Sequence, residues 1–415
     1  MSNPADSPLT VALDCRINDF RQGVGTAFIA LVREFASHPQ DSEEFTLIIP
    51  EDQAELFREF EATNNMKLLL CPGQGNPPLR NALKKVPMIP WVWRQVAGTF
   101  AAVPHSDGLI EARGFDIVHF PTQVGYLTSV PSIYQPWDLQ HIHLPKYFTH
   151  GQRAQRDRNY RALCGQASTI CIQTEWGKTD LITQYGIAPG KIEVVPWGSV
   201  FEGCHEPEGR DFERVAQRFA LADRFLLFPA VTWPHKNHQL LIRALSQLRR
   251  EGLSIPLVCT GRTTPESVSL LKLAQENGVA DLIRFIGFVD PIEMQVLYRS
   301  ATAMVYPSRF EGFGLPLNEA FHAGLPVLCS RASVLPEVAG DAALFFDVDD
   351  PAEAATAIRN ICSSPQLRDV LIQRGRRRLA ENPMSETAQR LRAVYRKAFE
   401  NTIEQHQRRR SLAIQ

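Results

Sequence analysis

The sequence predicts an α/β protein built from two doubly wound parallel sheets. Short, unbroken apolar runs such as 257–259 and 303–306 recur along the chain, as is typical of strands buried on both faces of a parallel sheet. Helical patterns such as 238–250 and 292–301 separate them, and this alternation indicates a doubly wound fold. Because 415 residues are more than one core usually serves, we expect two domains.

The apolar runs place the strands in two sets. In the first half we expect strands at 10–14, 45–50, 67–71, 116–121, 132–135, 169–173 and 192–196. In the second half we expect them at 225–228, 256–261, 282–287, 303–307, 326–329 and 343–347. A polar stretch with Gly203, Pro207 and Gly209 separates the two sets. The predicted domains are therefore 1–198 and 199–384, followed by a C-terminal helix over 385–415.

The composition excludes several classes of protein. Lys and Arg number 44 against 45 Asp and Glu, which leaves a net charge of −1 and none of the basic excess of a nucleic-acid-binding protein. The hydrophobic content of 44% is too high for a disordered chain. The first residues lack a signal-peptide pattern, and no uncharged apolar run approaches the roughly 18 residues of a membrane span. We expect a cytoplasmic protein without a nucleic-acid partner.

Cysteine and histidine usage predicts no metal site. The eight cysteines form no C-x-x-C pair, and most of them lie in apolar, strand-like runs. The eleven histidines are scattered, and no H-E-x-x-H sequence occurs. We therefore expect reduced thiols in the core, neither a disulfide framework nor a structural zinc.

The C-terminal segment differs in composition from the remainder. Ala388, Leu391, Tyr395 and Ala398 recur at helical spacing, which predicts an amphipathic helix. Residues 374–415 carry 11 basic and 4 acidic side chains. This charge is either a solvated face over a packed stripe or a surface for anionic lipid or a lipid-linked substrate.

The most informative stretch is 306–326, where a predicted strand runs into a glycine-rich turn and a helix. Gly312 and Gly314 flank Phe313, and Pro316 suits the first turn of the helix. Backbone N–H groups over 312–315 are thus expected at a helix N-terminus beside the carboxyl end of a sheet strand. An open α/β sheet binds ligands there, and a helix N-terminus receives phosphate.

Two carboxylates accompany this turn. Glu311 precedes it and Glu319 lies inside the following helix, eight residues later. A diphosphate beside the turn would have a sugar at one end and a ribose at the other. Two carboxylates at different depths fit the hydroxyl groups of those two ends.

This motif and its flanking sequences resemble the E-x7-E region of the retaining GT-B glycosyltransferases of family 4, the glycosyl transferases group 1. The flanks are 326–344, 171–180 and 191–198. The resemblance implies two Rossmann-like domains facing a central cleft, with the C-terminal helix crossing back to the first domain. It also implies metal-independent transfer of a hexose from a nucleotide sugar to a glycan hydroxyl with retention of configuration, and no separate cofactor.

The resemblance also assigns residues. Glu319 would hold the ribose hydroxyls of the nucleotide sugar, and Glu311 would contact hydroxyls of the donor sugar. The backbone amides of Phe313, Gly314 and Leu315 would lie against the diphosphate or the sugar.

A lysine follows the first strand of the second domain, in the sequence 232–238. At that junction the Lys236 ammonium would neutralise a departing diphosphate; the alternative is a solvated lysine at a helix start. Many relatives carry an arginine five residues earlier, where this chain has Val231. Arg262 is the predicted substitute for that phosphate contact.

The first domain contributes a glycine loop with Gly23, Gly25 and Thr26, between a strand and a helix expected at 28–35. It resembles the loop that closes over the donor phosphates in the family, although a plain tight turn is an alternative.

Relatives often read His-Asp where this chain reads Trp137-Asp138. The usual histidine near the donor sugar is therefore absent, and Asp138 remains as a catalytic candidate. His141 and His143 are equally compatible with a structural and a functional role.

Two further segments have open interpretations. The basic run 146–161 either receives an anionic acceptor or coats a helix. The apolar, aromatic run 86–94 is either core or a contact with the acceptor or the membrane edge.

Similarity of 137–141 and 233–238 to polysaccharide mannosyltransferases suggests mannose from GDP-mannose as the donor sugar. The acceptor would be a glycan or lipid-linked glycan in surface polysaccharide or O-antigen synthesis, reached by peripheral contact with the inner face of an anionic membrane. Two alternatives come from other classes: a GT-B sugar-nucleotide epimerase and a non-catalytic glycan-binding relative.

Overall fold

The computed structural model describes residues 8–16, 20, 23–40, 42–61, 63, 65–72, 99 and 101–413, with side chains as far as residue 404. The apolar run 86–94 lies outside the described residues. The chain divides into a first unit, Met1–Pro196 with Met384–Gln415, and a second unit, Trp197–Pro383. Within the described ranges no helix is both long enough and apolar enough to cross a membrane.

The first unit contains seven strands in its described part. They are β1 (Leu9–Asp14), β2 (Glu43–Pro50), β3 (Met66–Cys71), β4 (Ile117–Phe120), β5 (Ser132–Tyr134), β6 (Thr169–Ile172) and β7 (Ile192–Val194). Its α-helices are α1 (Val24–Ser37), α2 (Gln140–His143), α3 (His150–Gln166), α4 (Glu175–Tyr185) and, after the second unit, α13 (Met384–Ala413). Short 3₁₀ helices occupy Glu51–Phe60, Glu111–Arg113, Pro145–Tyr147 and Pro189–Lys191.

The second unit contains six strands. They are β8 (Leu226–Pro229), β9 (Leu257–Thr260), β10 (Ile283–Gly287), β11 (Ala303–Tyr306), β12 (Val327–Ser330) and β13 (Ala343–Phe346). The first four of its α-helices are α5 (Gly209–Arg218), α6 (His238–Arg250), α7 (Glu266–Glu276) and α8 (Pro291–Ser300). The others are α9 (Leu315–Ala323), α10 (Leu335–Ala339), α11 (Pro351–Ser363) and α12 (Pro365–Ala380), with 3₁₀ turns at Pro234–Lys236 and Ala280–Leu282.

Both sheets are parallel and doubly wound, which confirms the predicted fold class. The strand order is β3-β2-β1-β4-β5-β6-β7 in the first unit and β10-β9-β8-β11-β12-β13 in the second. Each predicted strand lies within two residues of an observed one. The order reverses direction between β8 and β11, which pair directly, Ala303 opposite Leu226. Ligands of open α/β sheets bind at such a reversal, outside the carboxyl ends of the strands.

The core residues match the apolar pattern. Seven of the eight cysteines are buried, and all eight are free thiols. Large aromatic side chains at the sheet, such as Tyr134, Phe225 and Tyr306, are almost fully removed from solvent. Burial on both faces explains why these strands read as continuous apolar runs.

The chain leaves the first unit two residues earlier than predicted, after Pro196. The reason is that Trp197 is fully buried in the second unit. Its carbonyl oxygen accepts a 2.7 Å hydrogen bond from Nδ2 of Asn318 on α9.

The long helix α13 packs into the first unit. Its predicted apolar stripe (Ala388, Leu391, Tyr395, Ala398) is buried. The hydroxyl of Tyr395 is hydrogen-bonded to Nδ1 of the buried His119 at 2.8 Å, and Arg392 forms a 3.0 Å ion pair with Glu43. The last stretch of this helix, including 407–413, has no described side chains.

Candidate functional site

The turn after β8 and the loop after β11 meet at the reversal of strand order in the second unit. Lys236 Nζ donates to Glu311 Oε1 at 2.6 Å and to the hydroxyl of Tyr306 at 2.9 Å. Both charged side chains are largely buried, with 16% and 12% of their surfaces exposed. Two side chains that the sequence assigned separately are therefore one ion pair.

The charge state of Glu311 follows from this pairing. Burial on its own would raise the pKa of Glu311, but the positive charge and hydrogen bond of Lys236 outweigh burial and hold that pKa below its ordinary value. Glu311 is accordingly an anion at neutral pH. The Lys236 ammonium uses two of its three N–H groups on partners in the described structure, which leaves the third for an incoming oxygen.

Side-chain and backbone hydrogen bonds hold the two segments together. Asn237 has a left-handed backbone (φ 62°), and its Nδ2 donates to the carbonyl oxygens of Val348 at 2.8 Å and Pro307 at 3.3 Å. The backbone N–H of Arg309 donates to the carbonyl of His235 at 2.8 Å. The turn that carries Lys236 is thereby fixed to the loop that carries Glu311.

Helix α9 begins beside this pair, as the sequence predicted. Gly314 is its N-cap residue and has φ 94°, a conformation that favours glycine. A Cβ at this position would lie 2.9 Å from Cδ2 of Leu335, so a larger residue would also displace that side chain. Within the described residues the N–H groups of Phe313 and Gly314 have no hydrogen-bond acceptor. The turn therefore presents donors suited to an anion.

Glu319 lies inside α9, where its Oε2 accepts a 2.5 Å hydrogen bond from the hydroxyl of the fully buried Tyr298. Burial raises the pKa of Glu319 to about 7, and the hydrogen bond from Tyr298 only partly offsets it. Near neutral pH this carboxyl is thus divided between its acid and its anion. The sequence indicated its position, but its protonation depends on the tertiary environment.

Arg262 lies in the loop after β9, one residue beyond Gly261, which packs against Val231 at the position of the absent family arginine. Gly261 has φ 93°, and a Cβ there would be 2.8 Å from the backbone nitrogen of Val231. Arg262 is exposed, and its guanidinium has no partner among the described residues. The structure therefore brings the residue before Arg262 next to Val231, and the phosphate contact of Arg262 stays a prediction.

The glycine loop of the first unit differs from its predicted form. Helix α1 begins at Val24, four residues before the expected start, so Gly25 and Thr26 lie in its first turn. Gly23 is the N-cap with φ 53°, and the Thr26 hydroxyl donates to its carbonyl at 2.8 Å. The extension arises because Gly23 adopts the cap conformation and the helix continues directly from it.

Asp138 is the other first-unit candidate. Its Oδ1 accepts from the backbone N–H of Gln140 at 2.9 Å, at the start of α2, and its Oδ2 accepts from Gln123 at 3.4 Å. Trp137 points into the core with φ 66°, and its indole N–H donates to the Pro121 carbonyl at 2.8 Å. Trp137 thus acts as a packing residue, whereas the catalytic role of Asp138 stays a prediction.

The two nearby histidines have structural partners. Nε2 of the buried His141 lies 3.2 Å from the Tyr185 hydroxyl, and burial lowers the pKa of His141 to about 4. Nε2 of His143 lies 2.8 Å from Asp180. Both contacts favour the structural interpretation that the sequence left open.

Several side chains of the basic segments have partners within the first unit. In the run 146–161, Arg156 stacks on Phe148 and Tyr160, and Arg158 donates to the carbonyls of Thr99 and Ala101. On α13, Lys397 forms an ion pair with Glu193 at 2.5 Å. In the described part of the chain, no group of three or more His, Cys, Asp or Glu side chains is placed to hold a metal ion.

Three residues around this site were not found from the sequence. Tyr306 accepts a hydrogen bond from Lys236, Tyr298 donates one to Glu319, and Ser333 hydrogen-bonds the backbone of Glu311. Tyr306 ends the strand before the motif, which is a weak local signal. Tyr298 and Ser333 have no such signal, because only the fold brings them near.

Two units with this strand order define the GT-B architecture, and the fold is shared with proteins of known structure. The chain aligns with a sucrose-phosphate synthase from Thermosynechococcus elongatus with a TM-score of 0.69 at 18% identity, covering 95% of this chain and all of that one. Residues 209–378 match the family Glycosyl transferases group 1. The chain thus has the GT-B fold, and its second unit is similar to the family Glycosyl transferases group 1.

Relatives in sequence include mannosyltransferases. The chain is 34% identical over 163 residues to O-antigen chain mannosyltransferase B of Escherichia coli, covering 39% of this chain and 43% of that protein. It is 30% identical over 226 residues to an MMP alpha-(1->4)-mannosyltransferase of Mycolicibacterium hassiacum, covering 53% and 52%. The chain spans about half the length of the curated relatives that it matches.

Proposed function

We propose that this protein is a retaining glycosyltransferase that moves mannose from a nucleoside diphosphate sugar to a glycan hydroxyl. The observation that carries the proposal is the arrangement at one edge of the second sheet. A buried Lys236–Glu311 ion pair at 2.6 Å, unpartnered N–H groups at the start of α9 and the carboxyl of Glu319 inside α9 all lie in the segments that follow β8 and β11. These groups complement a phosphate, a sugar and a ribose.

In the proposed reaction the bond between the sugar C1 and the diphosphate oxygen breaks. A bond from C1 to the acceptor oxygen forms on the same face. The acceptor proton passes to the departing diphosphate, so no enzymic base is required. The remaining N–H of Lys236 and the amides of Phe313 and Gly314 stabilise the charge that develops on the diphosphate.

Glu311 has two functions in this scheme. Its carboxylate orients Lys236 from one oxygen, and in the proposed complex it also accepts hydrogen bonds from hydroxyls of the donor sugar. Arg262 supplies a second positive charge, replacing the arginine that relatives carry at the position of Val231. These are positioning and electrostatic effects, and they need no cofactor or metal.

The donor and acceptor are assigned from the relatives. The matched proteins include an O-antigen chain mannosyltransferase, which supports mannose as the transferred sugar and a surface glycan as the acceptor. We propose GDP-mannose as the donor and a glycan or lipid-linked glycan as the acceptor. We place the reaction in the cytoplasm, at the inner face of the membrane, where the basic C-terminal helix would contact anionic lipid. Asp138 is retained as the first-unit residue that contacts the sugar.

The test is a panel of nucleotide sugars measured by thermal stabilisation and by release of nucleoside diphosphate, with and without a chelator. GDP-mannose should stabilise most and be turned over only with an acceptor glycan, unaffected by chelation. Proton NMR of the product should show the donor's anomeric configuration. An altered sugar still attached to the nucleotide would indicate an epimerase, and glycan binding without turnover would indicate a non-catalytic protein.

A further inference from the structure

The last residue of β12 and the loop that follows it hold the loop that carries Glu311. Ser330 donates to the Ser308 carbonyl at 2.5 Å, and Leu335 packs against Gly314 at the start of α9. Between them, the Ser333 hydroxyl accepts from the backbone N–H of Glu311 at 2.9 Å and donates to the Glu311 carbonyl at 3.1 Å. One hydroxyl therefore binds both backbone polar groups of the proposed catalytic residue.

Ser333 makes these contacts from an unfavourable backbone conformation. Its φ is 47°, in the left-handed region that side chains with a Cβ rarely adopt. Glycine would fit this turn without strain, but it has no hydroxyl to offer. Strained residues persist where the surrounding structure holds them, and they are concentrated at functional sites.

We infer that Ser333 is a positioning residue for the transfer reaction, which fixes the backbone of Glu311 so that its carboxylate holds Lys236 in line with the leaving diphosphate. The inference rests on the proposed function. Ser333 itself touches neither of the two charged side chains, so its effect passes through the Glu311 main chain. A displacement of about 1 Å in such a group costs on the order of 100-fold in rate.

Two substitutions separate positioning from folding. Ser333→Ala removes the hydroxyl and keeps the strain, whereas Ser333→Gly removes both. We expect both variants to lose about 10- to 100-fold in kcat with little change in the donor KM. The melting temperature of Ser333→Gly should exceed that of Ser333→Ala, because the backbone strain is relieved. Activity and stability would then change independently.

A matched control is available in the same unit. Ala220 also has a positive φ, 39°, and it is exposed and belongs to none of the site segments. Ala220→Gly should relieve strain in the same way and leave kcat at the wild-type value. A second measurement is the pH profile of kcat. Its acid limb should shift to higher pH in both Ser333 variants, because the Lys236–Glu311 ion pair is weakened.

The results that would overturn the inference are specific. Wild-type kcat and pH profile in Ser333→Gly would show that the hydroxyl does not position Glu311. A loss of activity that follows the melting temperature across both variants would show a purely structural role. Glu311→Ala provides the separate test of the proposed function. If that variant is fully active, the proposed function is wrong. If it is inactive while Ser333→Gly has normal activity, only the inference about Ser333 is wrong.

Discussion

Replacing Lys236 by alanine tests the proposed site most directly. Its ammonium lies 2.6 Å from Glu311 and retains one N–H for a phosphate oxygen. The leaving diphosphate gains charge in the transition state, so the loss should appear chiefly in turnover. We expect kcat to fall about 10²- to 10³-fold, comparable to removing one preorganised electrostatic donor.

The same substitution should change the titration of Glu311. Without Lys236, burial is no longer opposed by its charge, and the pKa of Glu311 rises. In the wild-type protein the pKa of Glu311 is lower in the folded state than in the unfolded state, so Glu311 stabilises the fold at any pH above its unfolded-state pKa. In the variant the pKa of Glu311 is higher in the folded state, so the free energy of unfolding falls as the pH rises through that folded-state pKa. The difference in melting temperature between the two proteins should therefore widen from acidic to neutral pH.

Steady-state kinetics and thermal unfolding over pH 4–8 measure both effects. Lys236→Arg should recover part of the activity, because the planar guanidinium directs its donors differently. Lys272→Ala is the control: Lys272 is 78% exposed in the same unit, and its loss should leave both quantities unchanged. A mild effect of Lys236→Ala with a large effect of Arg262→Ala would move the phosphate contact to Arg262. If neither substitution matters, the mechanism is wrong.

Three further results are expected. Because burial raises the pKa of Glu319 to about 7, donor affinity measured by calorimetry should increase from pH 6 to pH 8 as the carboxylate forms, and Glu319→Gln should bind more weakly without this pH dependence. Gly261→Ala places a Cβ 2.8 Å from a backbone nitrogen and should lower the melting temperature more than Gly278→Ala does. Gly278 also has a positive φ, 67°, but has open space around it, so equal decreases in melting temperature would contradict the steric argument. Deleting 407–415 should weaken binding to anionic liposomes in a salt-dependent manner if the tail binds lipid, and unchanged co-sedimentation at low salt would leave a solvated helix face.

Much of the fold could be predicted from the sequence because its signals are local. Strands buried on both faces must be continuously apolar, so their positions were correct to within two residues. The start of α9 could be predicted from Gly314 and Pro316, because the residue preferences of turns and helix starts depend on only a few neighbouring residues. The start of α1 was placed four residues late, because the sequence does not reveal the cap conformation of Gly23.

The candidate site is mostly a consequence of tertiary structure. The sequence by itself determined which residue types follow the strands. Lys236 follows one strand, Glu311 follows another, and Glu319 lies inside the helix after Glu311. Lys236 and Glu311 are 75 residues apart in the chain, and they meet because β8 pairs with β11. Pairing of distant strands is decided by the whole sheet, and no short sequence pattern records it.

Protonation and backbone strain are also determined by the tertiary structure. The pKa of Glu319 is set by burial beside Tyr298, and Trp137 is directed inward by the carbonyl of Pro121. Ser333 adopts its left-handed backbone only because two segments meet around it. The sequence determined the chemical groups and their local order, whereas their distances, charges and strain arise from long-range packing that acts on all of them at once.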